Sequence, residues 1–211
     1  MLPEMENVLP QEIERRSFEI IESELPHPLD PALAPVIKRV IHATADFDFA
    51  DTLVFSDGAL EAAFAALKDG ATIVTDTNMA RSGMNRAAME KLGCRALCFI
   101  ADEDVAERAK LEGVTRAAVS MDKALDLQGP VIFAIGNAPT ALGRLYELIN
   151  EKKLAPALII GVPVGFVNVV QAKELIMKAG APYIVARGRK GGSTVAAAIV
   201  NALLYMLTRG D

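Results

Sequence analysis

Residues 130–151, PVIFAIGNAPTALGRLYELINE, decide the fold. The run VIFAI (131–135) is apolar at every position, which is typical of a parallel strand that helices cover on both faces. A glycine and an asparagine follow, and an alanine- and leucine-rich helical pattern then covers 139–151. This order predicts a strand, a tight turn and a helix, which together form one unit of a doubly wound sheet.

The same alternation continues along most of the chain. The predicted strands are TLVF (52–55), ATIVT (71–75), RALCFI (95–100), RAAVSM (116–121), PVIFAIG (130–136), ALIIGV (157–162) and PYIVA (182–186). The predicted helices between or after them are 58–69, 79–92, 102–111, 139–151, 165–179 and 192–208. We therefore expect an α/β fold with a doubly wound, mostly parallel sheet flanked by helices.

Two further helices are predicted before the first strand. Residues 10–25 have apolar side chains at helical spacing, and LDPALAPVIKRVIHATAD (29–46) predicts a second helix with Asp30 as its N-cap. No linker or repeat interrupts the sequence. We expect residues 1–211 to form a single domain, with residues 1–45 as a helical segment packed on or beside the sheet.

Composition disfavours several classes of protein. The chain has 211 residues and a formal net charge of −5, whereas nucleic-acid and anionic-membrane binding need a cationic surface. The most apolar run, 154–170, is shorter than the ~20 residues of a membrane-spanning helix, and Pro156 and Pro163 interrupt it. We expect a soluble cytoplasmic protein without nucleic-acid or membrane partners.

Metal and cofactor motifs are missing from the sequence. Cys94 and Cys98 match no zinc or redox spacing, and we expect them to be buried, unbridged thiols in a reducing compartment. His27 and His42 are the two histidines, too few and too far apart for a ligand cluster. Neither a Gly-x-Ser-x-Gly elbow nor a Gly-x-Gly-x-x-Gly fingerprint occurs. We expect no cofactor and no bound metal.

The loops after the predicted strands are where a doubly wound sheet binds ligands. The most informative is ARGRKGGST (186–194), where three basic residues precede two glycines and the start of the last helix. Cations and helix-terminal N–H groups together favour an anion. The lysine precedes the glycine pair, so the loop is not a Walker motif. The alternative is a tight turn with solvated cations.

Other polar residues allow two interpretations each. Asp76, Asn78 and Arg81 follow a predicted strand, and either Asp76 or Asn78 is equally well explained as a helix cap. His42 would have Lys38, Arg39 and Asp46 within one helical turn. It is therefore a candidate for proton transfer, and the alternative is a histidine that interacts with a helix dipole.

Six segments in register resemble a known family. They are RSFEII (16–21), VIKRVIHATADFDFADTLVFS (36–56), TDTNMARSGMNR (75–86), GNAPTAL (136–142), IIGVPVGFVNVVQAKE (159–174) and ARGRKGGSTVAAAIVNALL (186–204). Together they resemble the precorrin-8X methylmutases of cobalamin biosynthesis and their anaerobic counterparts, which act on cobalt-precorrin-8. The resemblance runs from about Ser17 to about Leu204 without evident gaps.

The resemblance implies a function. Family members are homodimers of α/β subunits that move a methyl group from C-11 to C-12 of a tetrapyrrole polycarboxylate, giving hydrogenobyrinic acid or its cobalt form without a cofactor. The family's catalytic histidine corresponds to His42, as general acid and base. Substrate contacts are implied for Arg16, Ser17, Thr75, Asp76, Asn78, Arg81, Arg116, Arg187, Lys190 and Gly191.

Two other functions are compatible with the sequence. The same fold would also suit a corrinoid carrier that binds the product without catalysis, in which case His42 would be dispensable. A third hypothesis uses the residues alone: an enzyme acting on a phosphorylated small molecule through RGRKGGST (187–194). That hypothesis predicts competition by inorganic phosphate and no affinity for tetrapyrroles.

Overall fold

A computed structural model describes residues 9–209. The helices are α1 (Pro10–Glu24), α2 (Ala34–Thr44), α3 (Phe49–Thr52), α4 (Ala59–Lys68), α5 (Asn78–Ser82), α6 (Arg86–Lys91), α7 (Glu103–Glu112), α8 (Arg116–Lys123), α9 (Pro139–Asn150), α10 (Val169–Ile176) and α11 (Ser193–Thr208). The strands are β1 (Leu53–Phe55), β2 (Thr72–Thr75), β3 (Arg95–Leu97), β4 (Val131–Ile135), β5 (Leu158–Gly161) and β6 (Tyr183–Ala186). A short 3-10 turn covers Ala124–Asp126.

The strands form one six-stranded sheet in the order β1-β6-β5-β4-β2-β3. Strand β1 runs antiparallel to β6, and every other pair is parallel. In the centre, Ile132 of β4 pairs with Ile73 of β2 on one side and Leu158 of β5 on the other. The predicted α/β class with a mostly parallel, helix-flanked sheet is confirmed.

The central strands are buried on both faces, as their sequences predict. Every residue of β2, β4 and β5 is buried. Successive side chains of a strand point to opposite faces. Ile132 therefore packs into the core that α2, α4 and α11 cover, whereas Phe133 packs into the core that α8, α9 and α10 cover. The two N-terminal helices join the first of these cores, through Ile21 and Ile41.

One predicted strand is wrong. Residues 116–121, RAAVSM, form helix α8. The Thr115 side chain caps this helix by accepting a hydrogen bond from the Ala118 N–H at 3.2 Å. Ala117, Met121 and Ala124 are buried at spacings of four and three, the period of a helix face. Arg116 consequently lies in the first turn of a helix and does not begin a strand.

The start of α2 also differs from the prediction. Its N-cap is Leu33, not Asp30. The Asp30 carboxylate accepts a hydrogen bond from the Ala32 N–H at 2.8 Å, and its carbonyl accepts from the N–H groups of Leu33 and Ala34. Asp30 therefore stabilises a turn that precedes the helix.

Two predicted helices have different boundaries in the structure. Residues 79–92 form two helices, α5 and α6, because the Asn85 side chain accepts from the Ala88 N–H at 2.9 Å and starts a new helix there. The helix predicted over 165–179 is α10, which begins only at Val169. Before it, Gly165 and Asn168 have φ angles of 150° and 58°, which an α-helix does not allow.

Cys94 and Cys98 are both buried and unbridged, as predicted. No helix within residues 9–209 is long and apolar enough to cross a bilayer.

Candidate functional site

The site lies where the carboxyl ends of the parallel strands meet. From β2 the chain moves outward to β3 and then returns to β4 on the other side of β2. Such a reversal of direction opens a crevice at the carboxyl edge, where doubly wound sheets bind ligands. The loops that follow β2 and β4 meet there.

Asp76 joins these two loops. One carboxylate oxygen accepts from the Gly136 N–H at 2.9 Å, and the other accepts from Asn137 at 2.8 Å and Ala138 at 2.6 Å. Burial raises the pKa of Asp76, although the three amides that donate to it oppose the shift. The side chain is only 2% exposed, so its direct role is to hold the loop before α9.

The β2 loop also contacts the start of α11. The Thr77 and Ser193 hydroxyl groups are 2.7 Å apart and hydrogen-bonded. A Cβ atom on Gly136 would lie 2.6 Å from the Ser193 Cα, so only glycine allows this approach. Thr75 is fully buried beneath the same loop, and its hydroxyl lies 3.0 Å from the Thr77 carbonyl that accepts its hydrogen bond.

The loop between β6 and α11, residues 187–192, approaches the β5 loop closely. Gly191 has a φ angle of 155°, and a Cβ atom there would lie 2.1 Å from the Val162 carbonyl oxygen. The Gly192 N–H donates to that same oxygen at 2.8 Å. Gly191 therefore has both a conformational and a steric requirement for glycine. The tight-turn interpretation of the glycine pair is wrong, because Gly191 and Gly192, with φ angles of 155° and 134°, lie in neither a turn nor a bend.

The cations of loop 187–192 are exposed at this edge, and each has a partner. The Lys190 ammonium contacts Asp46 at 2.7 Å and also Asp48. Its hydrogen bond holds the pKa of the Asp46 carboxyl below its usual range. Arg187 pairs with Glu174 at 3.2 Å, and the Arg189 guanidinium lies 5.4 Å from the centre of the Phe166 ring. An anionic ligand would exchange these surface contacts for its own.

His42 lies in the last turn of α2 and is exposed. Its ring stacks on Phe18 of α1, with ring centres 5.4 Å apart and planes inclined by 17°. The charged residues around it are engaged elsewhere: Lys38 binds Glu22 at 2.7 Å, and Arg39 binds Glu14. Neither ring nitrogen of His42 has a hydrogen-bond partner among residues 9–209, so both can reach a ligand.

His27 has a different environment. Its ring nitrogens contact the Pro28 carbonyl at 3.0 Å and the Asp51 carboxylate at 2.8 Å. These two hydrogen bonds raise the pKa of His27. Of the two histidines, His42 is therefore the one whose ring nitrogens have no hydrogen-bond partner in the described part of the chain.

Residues close to His42 in the sequence or in space link it to other predicted residues. Asp46 lies two residues beyond the end of α2, and its ion pair with Lys190 joins this end of the helix to loop 187–192. On the other side, Phe18 is the neighbour of Ser17, whose hydroxyl donates to the Ile13 carbonyl at 2.8 Å. Arg16 is exposed on the same helix, 3.9 Å from Glu19.

The remaining predicted residues lie on other elements of the edge. Asn78 and Arg81 are exposed on α5, and Arg81 lines a cavity of about 410 Å³ together with Arg86 and Arg95. Arg116 begins α8, whose cap residue Thr115 lies 2.8 Å from Thr140 in the first turn of α9, hydroxyl to hydroxyl. Within residues 9–209, no hydrogen bond, ion pair or ring contact joins Arg116 to His42.

A larger cavity, of about 740 Å³, lies between α7, α8 and α9. None of the predicted site residues lines it. Among residues 9–209, no group of three His, Cys, Asp or Glu side chains is arranged to hold a metal ion.

Lys173 is a residue of this region that the sequence reasoning missed. It lies on α10 and is fully buried. Its ammonium donates to the carbonyls of Gly188 at 2.9 Å and Lys190 at 2.8 Å. Burial lowers its pKa to about 8. The available signal was its spacing, since Val169, Lys173 and Ile176 fall on one buried face of the helix.

The fold defines a class: a doubly wound α/β protein, in which the basic loop 187–192 lies at the carboxyl edge of the sheet as a candidate ligand site. Comparison with known proteins identifies the family. A family model described as precorrin-8X methylmutase matches residues 12–206, and the chain belongs to that family.

Individual relatives match over nearly their whole length. The cobalt-precorrin-8 methylmutase of Priestia megaterium is 44% identical, with 96% of this chain and 91% of the relative covered. The precorrin-8X methylmutase of Pseudomonas aeruginosa is 43% identical, with 92% and 94% covered. A crystal structure of the precorrin-8X methylmutase of Thermus thermophilus has a TM-score of 0.85 and 40% identity, over 92% of this chain and 96% of that one.

Proposed function

We propose that this methylmutase moves a methyl group from C-11 to C-12 of precorrin-8 or its cobalt form, with His42 as general acid and base. The main support for the proposal is the environment of the His42 side chain. Its ring is exposed and held against Phe18, its nitrogens are unused by residues 9–209, and its helix is tied to the cationic loop 187–192.

The proposed reaction needs one proton to move in each direction. His42 donates a proton to a ring nitrogen or carbon next to the migrating methyl group, which makes the macrocycle electron-poor. The methyl group then migrates, and His42 takes the proton back, so no atom is gained or lost. Proton transfer of this kind contributes ~100- to 10,000-fold in rate. The contact with Phe18 orients the imidazole for both steps.

The composition of the edge suits a tetrapyrrole polycarboxylate. Arg187, Lys190 and Arg189 offer cations that bind carboxylates. Phe166 and Val167, on the loop before α10, are large apolar side chains with 82% and 77% of their surface exposed. An apolar macrocycle that covered them would remove this surface from water. Among the proposed contact residues, Thr75 and Asp76 are buried, so we assign them to support of the edge from beneath.

We further propose that the enzyme works in the cytoplasm as a homodimer. The two buried thiols suit a reducing compartment. Helix α1 and the residue before it leave Leu9, Ile13 and Ile20 exposed, and a second copy of the chain would cover apolar side chains of this kind. Light scattering during gel filtration tests the oligomeric state: the mass of a dimer supports the proposed homodimer, and the mass of a monomer refutes it.

The function is tested by titrating the purified protein with hydrogenobyrinic acid and recording the visible spectrum. The wild type, His42→Ala and His27→Ala are compared. Stoichiometric binding by all three supports a tetrapyrrole pocket in which His42 is not needed for affinity, as expected of a residue that acts in proton transfer. The absence of any spectral change with the wild type would contradict the proposal. Displacement by millimolar phosphate would instead favour a phosphate-binding enzyme.

A further inference from the structure

Lys173 is the one lysine or arginine that is buried among residues 9–209. Its ammonium has no carboxylate partner there, and its polar contacts are the carbonyls of Gly188 and Lys190. The side chains beside it on the buried face of α10, Val169, Ala172 and Ile176, are apolar. Burying an ammonium without a counter-ion costs free energy. We therefore expect Lys173 to have a role that offsets this cost.

Lys173 determines the orientation of two peptide groups in loop 187–192. Both carbonyls turn toward its ammonium, and the described chain has no cis peptide. In a trans peptide the C=O and N–H point in opposite directions. The N–H groups of Arg189 and Gly191 therefore point away from Lys173, and neither donates to another residue of the described chain. The Arg189 carbonyl, between them, accepts from the Gly165 N–H at 3.1 Å.

Loop 187–192 is thus fixed from two sides. Lys173 holds two of its carbonyls, and the β5 loop holds it through Gly165 and through the close approach at Gly191. On the side of the loop that faces away from Lys173, the N–H groups of Arg189 and Gly191 have no partner among residues 9–209. The basic side chains of Arg187, Arg189 and Lys190 belong to the same six residues.

We propose that Lys173 is a positioning residue for the carboxylates of the substrate. It holds loop 187–192 in the conformation that turns the N–H groups of Arg189 and Gly191 away from Lys173, and it places a positive charge next to that loop. The assignment rests on the proposed function, because it takes the anionic ligand of the loop to be the tetrapyrrole polycarboxylate. Lys173 itself does not touch the substrate.

The test compares Lys173→Met with wild type, with Lys173→Arg, and with Lys178→Met, an exposed lysine just beyond α10. Because the loop binds the periphery of the substrate, we expect Lys173→Met to raise KM and the Kd for hydrogenobyrinic acid by about tenfold or more. A loss of uniform binding leaves kcat nearly unchanged, within about threefold. Lys173→Arg restores part of the affinity, and Lys178→Met matches the wild type.

Hydrogen exchange of residues 187–192 provides a readout that does not depend on activity. We expect faster exchange there in Lys173→Met, with no change in α9 or α4. A folded Lys173→Met with wild-type KM, Kd and exchange would overturn the inference. If that variant does not fold, Lys173→Gln, which keeps a donor without the charge, is judged by the same criteria. A wild type that neither binds nor converts the tetrapyrrole refutes the proposed function, whereas faster loop exchange still supports the positioning role.

Discussion

Replacing Lys173 by methionine is expected to change how the stability of the protein depends on pH. Burial lowers the pKa of Lys173 to about 8 in the folded protein, from an ordinary value near 10.5. Between these two values the unfolded chain binds the proton more tightly than the folded protein does. The free energy of unfolding of the wild type therefore rises with pH across this interval. Lys173→Met has no such proton and lacks this rise.

The expected size follows from the two pKa values. Between pH 7 and pH 9.5, proton linkage at this one group adds about 2 kcal/mol to the wild-type free energy of unfolding. Urea denaturation of both proteins at the two pH values measures it, because subtracting the variant removes the titration of all other groups. Lys178→Met serves as the control and retains the wild-type dependence, since Lys178 is exposed.

The same pH dependence of stability in the wild type and in Lys173→Met would refute a lowered pKa at Lys173. If the wild type and Lys173→Met gain or lose the same free energy between the two pH values, Lys173 has no lowered pKa and its ammonium is not desolvated. The absolute stability of the variant is a separate matter. Methionine avoids burying a charge but leaves the Gly188 and Lys190 carbonyls without their donor, and these two effects oppose each other.

Two further substitutions test the geometry of the edge. Asp76→Asn replaces one carboxylate oxygen, which accepts backbone N–H groups, with an NH2 group, which cannot accept, and we expect a loss of roughly 2–4 kcal/mol in urea denaturation. As a control, Asp69→Asn at an exposed position should change stability by less than about 0.5 kcal/mol. Gly191→Ala forces the loop away from Val162, so affinity for hydrogenobyrinic acid should fall by about tenfold or more. Gly129→Ala, also at positive φ but in open space, should leave that affinity unchanged, and equal affinities for the two variants would show that loop 187–192 does not bind the ligand.

The strand–helix order could be read from the sequence because local patterns determine it. Fully apolar runs such as 131–135 predict covered strands, and the structure buries every one of those residues. RAAVSM (116–121) was wrongly predicted to be a strand, because the apolar residues Ala117, Val119 and Met121 also alternate with period two. The helical period becomes evident only when Ala124, beyond the run, is counted with Ala117 and Met121.

The candidate site could be predicted less completely from the sequence, because residues that are far apart in the chain form it. Asp76 holds a loop that begins 60 residues later in the chain, and no local pattern reveals that partner. The same is true of Lys173, which contacts carbonyls on a loop beyond β6. His42 could be singled out because histidine is scarce. Its stacking on Phe18 depends on how α1 packs against α2, which the sequence pattern does not specify.

The most direct test of the account is the conversion of precorrin-8 and of cobalt-precorrin-8 by wild type, His42→Ala and His27→Ala, followed in the visible spectrum. We predict that His42→Ala is slower by ~100- to 10,000-fold with the preferred substrate, while its affinity for hydrogenobyrinic acid stays within about threefold of the wild type, a change smaller than 1 kcal/mol. His27→Ala should convert at the wild-type rate. Conversion by His42→Ala at the wild-type rate would contradict the assignment of His42 as general acid and base.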